Sequence, residues 1–197
     1  FFFFNDTATT EIYTSLFVGS VSVYKRQILN PGFETGTSPW VQTSSGGYTI
    51  PATTRPRTGS YSAYFGGYNS ATETLYQTVT VPSNGSLKYW WYNTTNETSA
   101  TAYDYLRVRI YSTSGTLLTT LRSWSNASAK NVWSQDTLSL VAYAGQTVRV
   151  QFTVTTDSSL TTSFFVDDVS LTGTSSVSAV QQITVAPKTA TRLKVKP

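Results

Sequence analysis

From Ile28 onward, apolar residues recur at alternate positions in short runs that end at turn residues, a period that fits strands and excludes helices. Residues two apart share one side of a strand. Leu106, Val108 and Ile110 therefore form one buried face, as do Val148, Val150, Phe152 and Val154. Leu87, Tyr89 and Trp91 follow the same rule, and so do Tyr61, Ala63 and Phe65. The runs 61–65, 75–81, 87–93, 105–111, 116–122, 133–140, 148–155 and 164–171 are the predicted strands, broken by signals such as Pro82-Ser83-Asn84-Gly85 and Ala144-Gly145-Gln146. Strands at this spacing, with no helix-length pattern between them, predict two packed antiparallel sheets: an all-β sandwich of jelly-roll type.

The same alternation leaves Tyr64, Trp90, Tyr92, Tyr105, Arg107, Arg109, Arg149 and Gln151 on the outward faces. Outward positions are ordinarily Thr, Ser or Lys, so an aromatic and arginine-rich set is the most function-like feature of the body. Pyranose rings stack their C–H faces on aromatic rings, while Arg and Gln bond hydroxyls. Trp90, Tyr92 and Tyr105 are the expected platforms, with Arg107, Arg109, Arg149 and Gln151 as polar clamps. Two competing readings stand beside this one. Aromatic pairs stabilise a solvated sheet face by roughly 0.2–1 kcal/mol each, and an apolar patch can pack on a neighbouring domain.

Charge narrows the classes of partner. The chain carries 14 Lys+Arg and 10 Asp+Glu, a net +4. The excess resides in Lys188, Arg192, Lys194 and Lys196, because residues 28–174 hold eight basic and eight acidic side chains. A neutral body offers no electrostatic footprint for a phosphate backbone, so no nucleic acid is expected. No run is long enough to span a membrane as a helix. The chain has no Cys and no His, which excludes disulfides, thiolate metal sites and the usual general base near neutral pH. A hard cation bound by oxygen remains open.

The ends read differently from the body. Residues 1–27, with Asn5-Asp6-Thr7-Ala8-Thr9-Thr10-Glu11-Ile12-Tyr13-Thr14 and then Val23-Tyr24-Lys25-Arg26-Gln27, resemble a translated sequencing adapter and are expected to be unstructured, with the true N-terminus missing. A signal peptide fits poorly, since a basic n-region is lacking and polar residues interrupt the apolar run. Residues 175–197 read as a Ser-rich linker followed by a segment, Val180 to Val195, that resembles the opening strand of a bacterial Ig-like repeat; the alternative is a ragged basic tail.

Two motifs at opposite ends of the body carry a resemblance. Asn30-Pro31-Gly32-Phe33-Glu34, followed by Trp40, stands near the start; Phe165-Val166-Asp167-Asp168-Val169-Ser170-Leu171 stands near the end. With Thr58-Gly59-Ser60-Tyr61-Ser62 between them, residues 28–174 resemble the galactose-binding-like jelly-roll domains. Carbohydrate-binding modules of families four and twenty-two, found in secreted bacterial hydrolases, belong to that class. The resemblance implies a secreted, extracellular, non-catalytic accessory module, monomeric, with a polysaccharide or glycan as ligand and neighbouring domains in the same chain. The alternative is a protein-interaction or adhesive spacer. It also implies a structural Ca2+, with Glu34 and Asp167 as side-chain ligands and oxygens from Asn30 and the turn at 57–60, including Ser60. Asp168 competes with Asp167, although alternation places Asp167 with Val169 and Leu171. Clustered hard oxygens suit calcium, and the competing role is capping of turn N–H groups. A glycosidase needs two carboxylates at a set separation. Adjacent residues of one strand point to opposite faces, so Asp167 and Asp168 do not supply them. Asp104, in Tyr103-Asp104-Tyr105, reads as a turn residue, and Asn-X-Ser/Thr sites such as Asn84 and Asn126 are expected by chance in so Ser/Thr-rich a chain.

Overall fold

The computed structural model describes residues 28–174. The expectations for 1–27 and 175–197 lie outside the described residues. Ten strands form two antiparallel five-stranded sheets. They are β1 (Val41–Ser44), β2 (Pro51–Ala52), β3 (Ser62–Gly66), β4 (Thr72–Thr80), β5 (Ser83–Thr95), β6 (Tyr105–Tyr111), β7 (Leu117–Ser125), β8 (Ser134–Ser139), β9 (Thr147–Thr155) and β10 (Thr162–Thr174). The first sheet runs β1-β4-β9-β6-β7 and the second β2-β3-β10-β5-β8. A 3-10 turn, Val141–Tyr143, separates β8 from β9. The β-sandwich read from the alternation is therefore the fold. Among the described residues no helix is long and apolar enough to cross a membrane.

The inward sets meet between the sheets. Leu106, Val108, Ile110, Val148, Val150, Phe152 and Val154 line the first sheet, and Ala63, Phe65, Leu87, Tyr89 and Trp91 the second, all buried. Trp91 stacks on Trp124 of β7 at 4.1 Å between ring centroids, and Tyr89 meets Phe152 edge-on at 5.4 Å. These contacts join the two sheets directly. Phe33 and Trp40, from the N-terminal turn, add to the same core at 5.4 Å from each other.

One polar chain crosses the open edge between β7 and β8. Trp124 Nε1 donates to Tyr89 Oη at 3.0 Å, Tyr89 Oη donates to Asp136 Oδ2, and Arg122 grips Asp136 through Nε and Nη2 at 2.8 and 3.1 Å. Burial, the largest influence, pushes the Tyr89 phenol far above its ordinary range, so it acts only as a neutral relay. Asp136→Asn should cost about 1–3 kcal/mol, because the paired guanidinium and the buried hydroxyl lose a charged acceptor. A thermal melt superposable on wild type would show that the edge is held by packing alone.

Three expectations change. Val41–Ser44 and Pro51–Ala52 are strands that alternation missed: VQTS has no apolar period and the other pairs through two residues only. Tyr92 points outward as predicted but is buried, for reasons given below. Asp167 does not share a face with Val169 and Leu171. A bulge at Asp168, whose φ is +49°, shifts the register between Asp167 and Ser170, so Asp167 faces outward opposite Trp90. A bulge inserts one unpaired residue and swaps the faces beyond it.

Candidate functional site

The eight outward residues singled out from the sequence do not form one site. Tyr64 on β3 and Trp90 and Tyr92 on β5 belong to the second sheet; Tyr105, Arg107 and Arg109 on β6 and Arg149 and Gln151 on β9 belong to the first. The two groups lie on opposite outer faces of the sandwich.

On the second sheet the rings are already covered. Tyr64 stacks on Phe165 at 4.8 Å, and Tyr92 packs on Phe165 and Trp133 at 5.7 and 5.6 Å. The Arg55 guanidinium lies 4.4 Å from the Tyr92 ring centre, and that of Arg57 lies 3.7 Å from Trp90. Each contact is a cation–π pair. The loop between β2 and β3, which carries both arginines, buries Tyr92 and occupies one face of Trp90.

On the first sheet the outward residues form a regular lattice. Tyr76 pairs with Gln151 and Gln151 with Arg109, while Arg107 sits opposite Thr153 and Arg149 opposite Tyr111. Arg107 lies over Tyr105 at 4.1 Å and donates to Thr155 Oγ1. Arg149 lies over Tyr76 at 4.9 Å and donates to the Thr113 carbonyl. Gln151 is buried beneath these side chains and donates to Thr153 Oγ1. Burial and then the neighbouring Arg109 charge hold the Arg107 guanidinium below its ordinary range.

The residues proposed for calcium gather at one turn, yet they hold it in different ways. Glu34 accepts the Ser60 and Tyr61 N–H groups at 3.0 Å. Asp167 accepts the N–H groups of Arg57, Thr58 and Asp168. Burial, acting against those three donors, pushes the Asp167 carboxyl up to about 6. Asp168 pairs instead with the Arg57 guanidinium at 2.5 Å and with Thr58 Oγ1. The two aspartates thus address one turn, and do not diverge to opposite faces, because the bulge rotates the second. The Asn30 side chain is spent on Gly36 O, Ser38 O and Thr35 N. All four side chains are thus engaged by protein partners, and the Asn30 carbonyl accepts the Phe33 N–H and Trp40 Nε1. A methyl group at Gly32 would lie 3.8 Å from Glu34 Oε1 and 3.5 Å from Asp167 Oδ1, both ordinary van der Waals distances. The Glu34 and Asp167 carboxylates converge on one glycine.

A concave site opens elsewhere, at the end of the sandwich formed by the β1–β2 and β3–β4 connections. It encloses about 340 Å3 and is lined by Tyr48, Thr49, Tyr64, Gly66, Gly67, Tyr68 and Glu73. Tyr48 meets Tyr68 edge-on at 5.3 Å and is 59% exposed, so a broad part of its ring is open to solvent. The base is rigid. Buried Glu73 accepts Ser44 Oγ at 2.6 Å, Tyr68 Oη at 3.0 Å and the Gly66 N–H at 2.7 Å. Tyr68 Oη in turn accepts the Gly46 N–H. Gly66 and Gly67 take φ of +71° and +77°, and a Cβ on Gly67 would collide with the Tyr64 hydroxyl. Of the sequence-selected residues only Tyr64 lines this cavity. The missed signal was a repeat, Gly46-Gly47-Tyr48 and Gly66-Gly67-Tyr68, which places a tyrosine after a flexible turn on each wall.

A second oxygen cluster was also missed. Carboxylate oxygens of Glu97, Asp104 and Asp157 lie within 4.8 Å of one another, and this buried acidic group could hold a metal ion. Asp104 is wholly buried and accepts the Asp157 N–H and the Thr162 hydroxyl, which is far more than a turn residue does.

No protein-family model matches the chain, and no curated protein matches it. Solved structures do share the fold. The carbohydrate-binding module TmCBM61, in complex with β-1,4-galactotriose, superposes with a TM-score of 0.57 at 16% identity, covering 75% of this chain and 97% of that one. A cleaved adhesin domain of Lys-gingipain from Porphyromonas gingivalis gives 0.54 at 16% identity, covering 74% and 99%. A structure described as a promiscuous carbohydrate-binding module of the β-sandwich superfamily gives 0.50 at 14% identity, covering 76% and 62%. At such identities the likeness defines the fold: a jelly-roll β-sandwich of the kind used by carbohydrate-binding modules and adhesin domains.

Proposed function

We propose that residues 28–174 are a non-catalytic glycan-binding module of a secreted, multidomain protein, and that the glycan enters the tyrosine-lined cavity. The observation that carries this reading is the cavity itself. Its volume fits a sugar unit or two, small-molecule sites commonly enclosing about 300–1,000 Å3. Tyr48 offers an open ring for the C–H face of a pyranose, while Thr49 and the Tyr64 hydroxyl offer polar partners for its hydroxyl groups. The outer faces of the two sheets are weaker platforms, since Arg55, Arg57, Arg107 and Arg149 already cover their rings.

Binding without hydrolysis follows from the chemistry of the lining. Glycoside cleavage uses two carboxyl groups about 5–9.5 Å apart. Glu73 is the one carboxylate among the described residues lining this cavity, and three donors already engage it. A calcium ion at Glu34 and Asp167 would be structural, fixing the N-terminal turn to β10 beside the bond from Val169 N–H to Pro31 O. The test is retention of the chain on insoluble polysaccharides, including a β-1,4-galactan. Retention by one or more, released by soluble oligosaccharide, is expected. Failure across a broad panel would favour a spacer that meets only other protein domains.

A further inference from the structure

The acidic group at the other loops has an electrostatic problem that its own hydrogen bonds do not solve. Glu97 follows β5, Asp104 precedes β6, and Asp157 lies between β9 and β10. Glu97 is 7% exposed, and its Oε1 is buried with no hydrogen-bond partner among the described residues. A buried carboxylate oxygen without a donor costs far more than an exposed one. Burial, and then the charges of Asp157 and Asp104, raise the Glu97 carboxyl above its usual range. Lys130 is the cation that opposes this, but its ammonium donates to the Glu97 backbone carbonyl, at 3.4 Å, and not to the carboxylate.

We infer that Glu97, Asp104 and Asp157 form a calcium-binding site that clamps the two sheets together at this end of the sandwich. Three carboxylates and no nitrogen or sulfur ligand select a hard cation. Oxygens on opposite sides of calcium, at about 2.3–2.6 Å from the ion, are about 4.6–5.2 Å apart. That span matches a cluster whose oxygens lie within 4.8 Å of one another. The ion would give Glu97 Oε1 the partner it lacks. It would also join the β5–β6 and β9–β10 connections, each of which passes from one sheet to the other. The cluster is separate from Glu34 and Asp167, and the inference does not depend on glycan binding.

The test uses the full chain freed of metal by chelation, then titrated calorimetrically with calcium chloride and melted with and without calcium. The variants are Glu97→Gln, Asp157→Asn and, as the control for the other carboxylate site, Glu34→Gln. Wild type should gain several degrees in Tm with calcium, and Glu97→Gln and Asp157→Asn should each lose one calcium equivalent that Glu34→Gln retains. In chelator the order should invert: Glu97→Gln should melt no lower than wild type, because a neutral amide removes the repulsion and supplies a donor. A residue needed only for packing would destabilise in both conditions. The inference is overturned if Glu97→Gln takes up calcium as wild type does, if wild type shows neither heat nor a Tm shift at millimolar calcium, or if magnesium produces an equal response.

Discussion

Trp91→Ala should lower the unfolding free energy by about 3–5 kcal/mol, the usual cost of deleting a large buried aromatic. Trp91 is 2% exposed and stacks on Trp124 across the inter-sheet space, so its removal opens a cavity where the two sheets meet. Its indole N–H has no partner among the described residues, so the loss is one of packing and not of a hydrogen bond. The neighbouring Trp90→Ala should cost about 1 kcal/mol, the scale of an exposed cation–π pair with Arg57. Urea unfolding of both variants, with unchanged slopes, measures the contrast. Equal costs would contradict the strand register, because a slip of one residue exchanges the faces.

Glu73→Ala should be nearly as damaging, for a different reason. It removes the shared charged acceptor of three donors at once: the Ser44 hydroxyl, the Tyr68 hydroxyl and the Gly66 N–H. These donors are half-buried, so each costs toward the lower end of the about 1–3 kcal/mol of a buried unpaired donor. A total of about 3–5 kcal/mol is expected, with loss of any ligand affinity, since Tyr68 and the Gly66-Gly67 turn shape the cavity. Glu73→Gln should restore part of the stability, because its amide oxygen still accepts. If Glu73→Ala unfolds at the wild-type urea midpoint, the rigid base described for this cavity does not exist.

The sandwich was legible because burial imposes a period of two on strands such as Val148–Val154, and nothing else explains that pattern. The short strands at Val41 and Pro51 were not legible, since edge strands held by neighbours need no apolar period of their own. Faces were read correctly up to the bulge at Asp168; a left-handed residue leaves no mark in an Asp-Asp pair. Exposure was harder than direction. Tyr92 points outward, yet the distant Arg55 and Trp133 fold over it, and alternation along one strand carries no record of what other segments do. The same limit hid the acidic cluster, which joins Glu97 and Asp104 to Asp157, and the cavity, which joins the β1–β2 and β3–β4 connections. Only the paired Gly-Gly-Tyr turns hinted at the latter.

The central claim is that an open tyrosine ring in this cavity binds sugar, and the affinity of Tyr48→Ala tests it most directly. Because the Tyr48 ring stands largely in solvent, its removal should leave the melting temperature within about a degree or two of wild type. Isothermal titration with an oligosaccharide of whichever polysaccharide retains the chain should then show affinity falling about tenfold or more, equivalent to about 1.4 kcal/mol. Tyr105→Ala, on the outer face of the first sheet, should bind as wild type does. Unchanged affinity in Tyr48→Ala together with lost affinity in Tyr105→Ala would contradict the cavity and move the glycan to that face.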